Sequence, residues 1–121
     1  MRYALVCSAL WLCWGTEIRA AGDLLSRAPA KFNRMASPYG DDEKAVRAGA
    51  KLYRRECAAC HGESGIDKAP RLDSRYVRGA SPGALFWVLR NGSLGRGMPS
   101  FAHLPEAQRW QIIAYLRSEA K

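Results

Sequence analysis

Residues Cys57-Ala58-Ala59-Cys60-His61-Gly62 put two thiols and an imidazole within five positions. A cluster of that kind can ligate a metal, run thiol–disulfide exchange or hold a cofactor covalently. The choice depends on the compartment of the chain and on the scaffold that surrounds the motif.

Compartment is addressed by the N-terminus. Arg2 precedes an apolar run of thirteen residues, Tyr3 to Gly15, and a polar stretch then ends in Ala20 and Ala21. This is the layout of a secretory signal peptide, and the run is too short to span a bilayer, which needs roughly 20 apolar residues. Residues 1–21 are therefore expected to be a signal peptide, and the mature chain a periplasmic protein with no membrane span. A retained N-terminal anchor is the other reading of the same run. Of the four cysteines, Cys7 and Cys13 leave with the signal, so Cys57 and Cys60 remain and no disulfide framework staples the exported chain. Residues 22–40 contain Pro29 and Pro38 and show no sustained periodicity, and they read as an extended arm or linker. The folded domain is expected over residues 41–121. A domain of about 80 residues has a marginal core and usually needs a disulfide, a metal or a cofactor. With disulfides gone, a cofactor is expected.

The scaffold follows from composition and periodicity. Past residue 21 there is no threonine, and the β-branched aliphatics are only Val46, Ile66, Val77, Val88, Ile112 and Ile113. That is too few pleat-fitting side chains for a sheet. Asp41 or Asp42 can cap a helix running EKAVRAGAKLYRREC, with Val46, Gly49, Ala50, Tyr53 and Cys57 at helical spacing. Ser81-Pro82 is a cap followed by an N1 proline, and PGALFWVLR then runs to the stop Asn91-Gly92. Pro105-Glu106 opens a last helix whose stripe is Trp110, Ile112 or Ile113, and Leu116. The expected fold is all-α.

That scaffold separates the three chemistries. Thioredoxin-type exchange also uses C-x-x-C, but on a βαβ fold that this chain cannot build. A structural zinc site needs four ligands, and beyond the motif the other nitrogen or sulfur candidates are His103 and Met98. Covalent attachment of haem c fits best: two cysteines three apart on a helix end reach the two vinyl groups as thioethers, and His61 is then held beneath the iron. A second axial ligand is offered by Met98 in GRGMPSF, 37 residues after His61. Gly97 permits close approach there and Pro99 stiffens the loop. Met35 and His103 are the rivals, one in the arm and one in a polar loop. A ligating histidine usually donates its other N–H to a carbonyl, and Pro70 is placed to supply one.

These residues resemble class I cytochrome c over about residues 41–121. The resemblance is carried by CAACH, the proline of APRL, the GMPSF loop and the final QIIAYLRS. More narrowly, LFWVLRNGSLGRGMPSF followed by a Trp-containing helix looks like the small cytochromes and cytochrome domains that accompany quinoprotein alcohol dehydrogenases. The resemblance implies three to four helices packed around one covalent haem, with His61 and Met98 as iron ligands. It implies a crossing of the first and last helices, Gly49 and Tyr53 against Ile112 and Tyr115. Leu72, Leu85, Phe86, Val88, Leu89 and Phe101 are candidates for the pocket wall, and Arg90, Tyr76 and Phe101 are candidate haem contacts.

A six-coordinate iron has no open position for substrate, so the implied function is one-electron transfer rather than catalysis. The expected route runs from a dehydrogenase to a downstream cytochrome or terminal oxidase. The competing function is a haem enzyme or gas sensor, peroxidase-like, with a displaceable Met98. Without Arg2, Glu17 and Arg19 the chain has 17 basic and 10 acidic residues, a net +7. Arg54, Arg55, Arg71, Arg75, Arg78, Arg90 and Arg96 flank the haem segments, a field that would steer a redox partner with an acidic docking surface. Arg71, Arg75 and Arg90 could instead pair with the haem propionates. No nucleic-acid-binding motif is present.

Overall fold

The computed structural model describes residues 24–62, 69, 71, 72 and 75–120, the side chains of Arg75 and Tyr76 excepted. The expected signal peptide lies outside the described residues. The helices are α1 (Ala30–Asn33), α2 (Glu43–Glu56), α3 (Ala58–His61), α4 (Arg75–Gly79), α5 (Pro82–Asn91) and α6 (Glu106–Glu119), with a 3₁₀ turn at Leu94–Arg96. Among the described residues the β-type pairing is one isolated bridge, Ser93 to Met98, so the all-α expectation holds.

Helix ends fall where the local chemistry puts them. Asp42 caps α2, its Oδ1 accepting from the Lys44 N–H at 2.8 Å. Ser81 caps α5, its Oγ accepting from the Ala84 N–H at 3.1 Å, with Pro82 in the first turn where a missing N–H costs nothing. Gly92 ends α5 in a left-handed conformation, φ +65°, and an added Cβ would meet the Pro99 carbonyl at 2.6 Å. Both backbone strain and space therefore demand glycine there.

The core is built on the crossing of α2 over α6. At Gly49 a Cβ would lie 1.9 Å from the Gln111 carbonyl oxygen and 2.9 Å from Tyr115 Cβ, so the two backbones touch where a side chain is missing. The Tyr53 and Tyr115 rings pack beside this point, centroids 5.2 Å apart. Ile112 is fully buried with Ile113, each at 0% exposure, and the atoms nearest the missing Gly49 side chain belong to Gln111 and Tyr115. Burying each isoleucine contributes roughly 1.5–3 kcal/mol. On α2 the buried row is Ala45, Gly49 and Leu52, while Val46, Ala50 and Tyr53 are half-buried. That row follows the i, i+4, i+7 spacing, but its two small members carry little hydrophobic signal.

Helix α5 seals the other side of α6. Phe86 stacks on Trp110 at 4.4 Å between centroids, and the Arg109 guanidinium lies 4.6 Å from the Phe86 ring centroid. Arg109 is only 8% exposed, and its Nε and Nη1 have no hydrogen-bond partner among the described residues. The ring face offsets part of that desolvation. Nothing in the sequence marks this arginine as buried, since a charged residue beside a tryptophan ordinarily faces solvent.

Residues 24–40 differ from the expected extended arm. They carry α1, and Phe32 is 7% exposed within the main hydrophobic cluster. The segment lies so close to α5 that a Cβ on Gly83 would overlap the Phe32 carbonyl oxygen at 1.6 Å. Asn33 closes the attachment, donating Nδ2–H to the Ala28 carbonyl at 2.9 Å and meeting Ser81 Oγ through its Oδ1 at 2.9 Å. The aperiodic sequence hid this because one aromatic anchor and a glycine hole, rather than a repeating stripe, hold the segment.

Candidate functional site

Cys57 stands at the junction of two helices: its N–H donates to the Tyr53 carbonyl at 2.8 Å, and its own carbonyl accepts from Cys60 and His61 at 3.2 and 2.9 Å. The single turn of α3 thus brings Cys60 and His61 back over the end of α2. Cys57 is buried, Cys60 is exposed, and both thiols are free. Burial, helped by the nearby Glu56 and Cys60, pushes the Cys57 thiol up to about 11. This environment suits an uncharged sulfur, as in a thioether. It opposes the thiolate that disulfide exchange requires. Among the described residues, moreover, no group of three or more His, Cys, Asp or Glu side chains is arranged to hold a metal ion.

His61 is half-buried, and its backbone carbonyl accepts a hydrogen bond from Tyr53 Oη at 2.8 Å. The methionine loop is ordered by its own bonds. Ser93 and Met98 exchange N–H···O contacts of 2.9 and 3.1 Å, and Gly97, at φ +82°, turns the chain between them. Phe101 N–H then donates to the Leu89 carbonyl at 2.8 Å, and Ser100 Oγ–H to the Arg90 carbonyl at 2.6 Å, fastening the loop to the end of α5. Met98 is half-buried against the core cluster.

The expected pocket wall divides in two. Leu85, Phe86, Leu89 and Phe101 are buried, whereas Leu72 and Val88 are half-buried. Met35 and His103 are the alternative ligand candidates. Met35 packs in the 24–40 segment with its Cβ 3.1 Å from where a Gly83 Cβ would stand, and His103 is exposed with its ring 6.0 Å from that of Phe101. Arg90 is exposed. Pro70 and the side chain of Tyr76 lie outside the described residues. The donor set present, a buried neutral sulfur, an exposed sulfur one turn on, an adjacent imidazole and a thioether on an ordered loop, fits haem c.

Elsewhere, a cavity of about 680 Å³ is lined by Arg34, Met35, Val77, Arg78, Ala114 and Arg117, among others. Neither the motif cysteines nor His61 nor Met98 is among the described residues that line it. Of the flanking arginines, Arg54, Arg55, Arg71, Arg78 and Arg90 are exposed, and Arg55 pairs with Glu56 at 2.6 Å. Arg117 donates to the Ala80 carbonyl at 3.0 Å.

Comparison with known proteins adds a lineage to this geometry. Residues 44–116 match the family model described as cytochrome c oxidase, cbb3-type, subunit III. The quinohemoprotein alcohol dehydrogenase ADH-IIG of Pseudomonas putida is 30% identical over 106 residues, covering 86% of this chain and 15% of that protein. Cytochrome c550 of Pseudomonas aeruginosa is 30% identical over 92 residues, covering 71% of this chain and 63% of that protein. The chain therefore spans a small part of the first relative and somewhat under two thirds of the second. No solved structure matches it.

Proposed function

The chain belongs to the class I c-type cytochromes and carries one covalent haem c, and from that premise we propose that it is an exported one-electron carrier whose iron is held between His61 and Met98. Bound haem supplies a reversible one-electron iron couple. The chain's own part is to hold it. Cys57 and Cys60 anchor it from the end of α2 and from α3. His61 enters from the same turn, and Met98 comes from the loop fastened to α5. Phe101 would close the wall behind the methionine loop, and the carbonyl expected from Pro70 for the His61 ring lies outside the described residues. What supports this reading is that Met98 is half-buried on a hydrogen-bonded loop and His61 is half-buried on a helix end held by Tyr53.

His61 and Met98 would hold the iron, and with both bound the haem would supply one-electron transfer rather than an open position for substrate. His/Met ligation places the reduction potential above that of more strongly donating ligand pairs. Among the described residues no helix is long and apolar enough to cross a membrane. The reading as a periplasmic protein rests on the signal-like residues 1–21. A dehydrogenase, in the manner suggested by the quinohemoprotein relative, is the proposed donor, and a downstream cytochrome or oxidase the proposed acceptor. The exposed arginines favour partners with acidic surfaces.

The test is a visible and near-infrared spectrum of the haem-loaded protein beside Met98→Ala. The wild type is expected to show a sharp reduced α band and a weak oxidised sulfur-to-iron band. In the variant the sulfur band disappears, carbon monoxide binds the ferrous iron, and the potential falls. An unchanged spectrum in the variant would remove Met98 from the iron and return the peroxidase-like reading to contention.

A further inference from the structure

Both backbone polar groups of His61 are tied to the last turn of α2. Its N–H donates to the Cys57 carbonyl at 2.9 Å, and its carbonyl accepts from Tyr53 Oη at 2.8 Å. The second bond is unusual in what it fixes. Carbonyls in the last turn of a helix have no intrahelical donor, and α3 is a single turn, ending at His61. Left to water, that carbonyl would allow the final peptide, and the imidazole it carries, to tilt. Tyr53 instead reaches over from one turn before Cys57 and holds it.

Tyr53 is itself held. Its ring is half-buried against Tyr115, and Gly49, one turn earlier on α2, lets α2 press directly on the α6 backbone at Gln111. Packing at the crossing would need only the ring, which phenylalanine supplies equally well. The hydroxyl is the part that packing leaves unexplained, and it points at the residue proposed to bind the iron.

We infer that Tyr53 is a positioning residue for the iron: its hydroxyl locks the backbone of His61, so that the α2–α6 crossing sets the orientation of the proximal imidazole. This rests on His61 being an iron ligand, as proposed above. A freer imidazole donates less effectively to ferric iron, so losing the hydroxyl favours the reduced state.

The test uses the haem-loaded full chain as wild type, Tyr53→Phe and Tyr115→Phe, the last altering the same crossing without touching His61. Proton NMR of the ferric protein reads the imidazole plane from the pattern of haem-methyl shifts, and voltammetry reads the potential. Tyr53→Phe is expected to rearrange the methyl pattern. It should also weaken ferric relative to ferrous iron by roughly threefold, an upward shift of roughly 30 mV at 59 mV per tenfold for one electron. Tyr115→Phe is expected to leave both at the wild-type values. If Tyr53→Phe matches wild type in both readouts, or if Tyr115→Phe moves them equally, Tyr53 has no positioning role. A wild type whose spectrum lacks haem c would overturn this inference together with the proposed function, whereas a normal wild type beside an unshifted Tyr53→Phe overturns the inference alone.

Discussion

Replacing Gly49 with alanine is expected to lower the thermal midpoint of the haem-loaded protein by about 10 °C. Two effects oppose each other here. Alanine is the better helix former, which by itself would stabilise an interior helical position by roughly 1 kcal/mol. The new methyl, however, would sit 1.9 Å from the Gln111 carbonyl oxygen and 2.6 Å from its carbon. Those are backbone atoms, so no rotamer change can relieve the overlap and the helices must part. Overpacking of this kind costs about 3 kcal/mol, which leaves a net loss of about 2 kcal/mol. In a domain of this size each kcal/mol moves the midpoint by roughly 4–8 °C. Circular dichroism melts of the two proteins decide the matter. A midpoint equal to or above wild type would mean that the crossing has slack and that propensity wins.

Truncating Phe32 is the second large effect. Phe32→Ala is expected to destabilise the protein by about 3 kcal/mol, at the low end for a buried aromatic because the site lies at the edge of the core. Arg34→Ala, two residues on and exposed, is expected to change stability by less than about 0.5 kcal/mol. Guanidinium titrations of both variants give the comparison directly. Equal midpoints would mean that residues 24–40 are an appendage, and that the contact of Phe32 with α5 contributes nothing to the folded state. A large loss for Phe32 alone makes this stretch part of the cytochrome body, which matters for any plan to trim the chain at residue 41.

The two effects differ in how far each was legible beforehand. Gly49 was marked in the chain by the resemblance to class I cytochrome c, which implies a close crossing of the first and last helices at a glycine. Its nearest contact was not. Ile112 is the more obvious choice by hydrophobicity, yet the atom that forbids a side chain at Gly49 belongs to the backbone of Gln111, and side-chain patterns carry no information about backbone contacts. Phe32 was missed for a related reason. A four-residue helix with one aromatic has no period to detect, and its burial depends on the space left by Gly83, fifty-one residues away. Arg109 is the same lesson with the sign reversed: a charge that composition assigns to solvent lies beneath the ring of Phe86.

Local chemistry, then, settled the helix ends and the spacing of the C-x-x-C-H motif. Capping by Asp42 and Ser81, the turn at Gly92 and the C-x-x-C-H spacing involve residues within a few positions of one another, and short-range sterics and hydrogen bonding decide them. Tertiary structure alone decided which side chains meet across the chain: Gly49 on Gln111, Phe32 on Gly83, Arg109 over Phe86. These contacts depend on how α2, α5 and α6 are set against one another, an outcome of burying all their apolar faces at once. The bond from Tyr53 to His61 lies between the two regimes. Its partners are only eight residues apart, yet it exists because the helix crossing holds the tyrosine ring in place while the turn at Cys57 brings the histidine back to it.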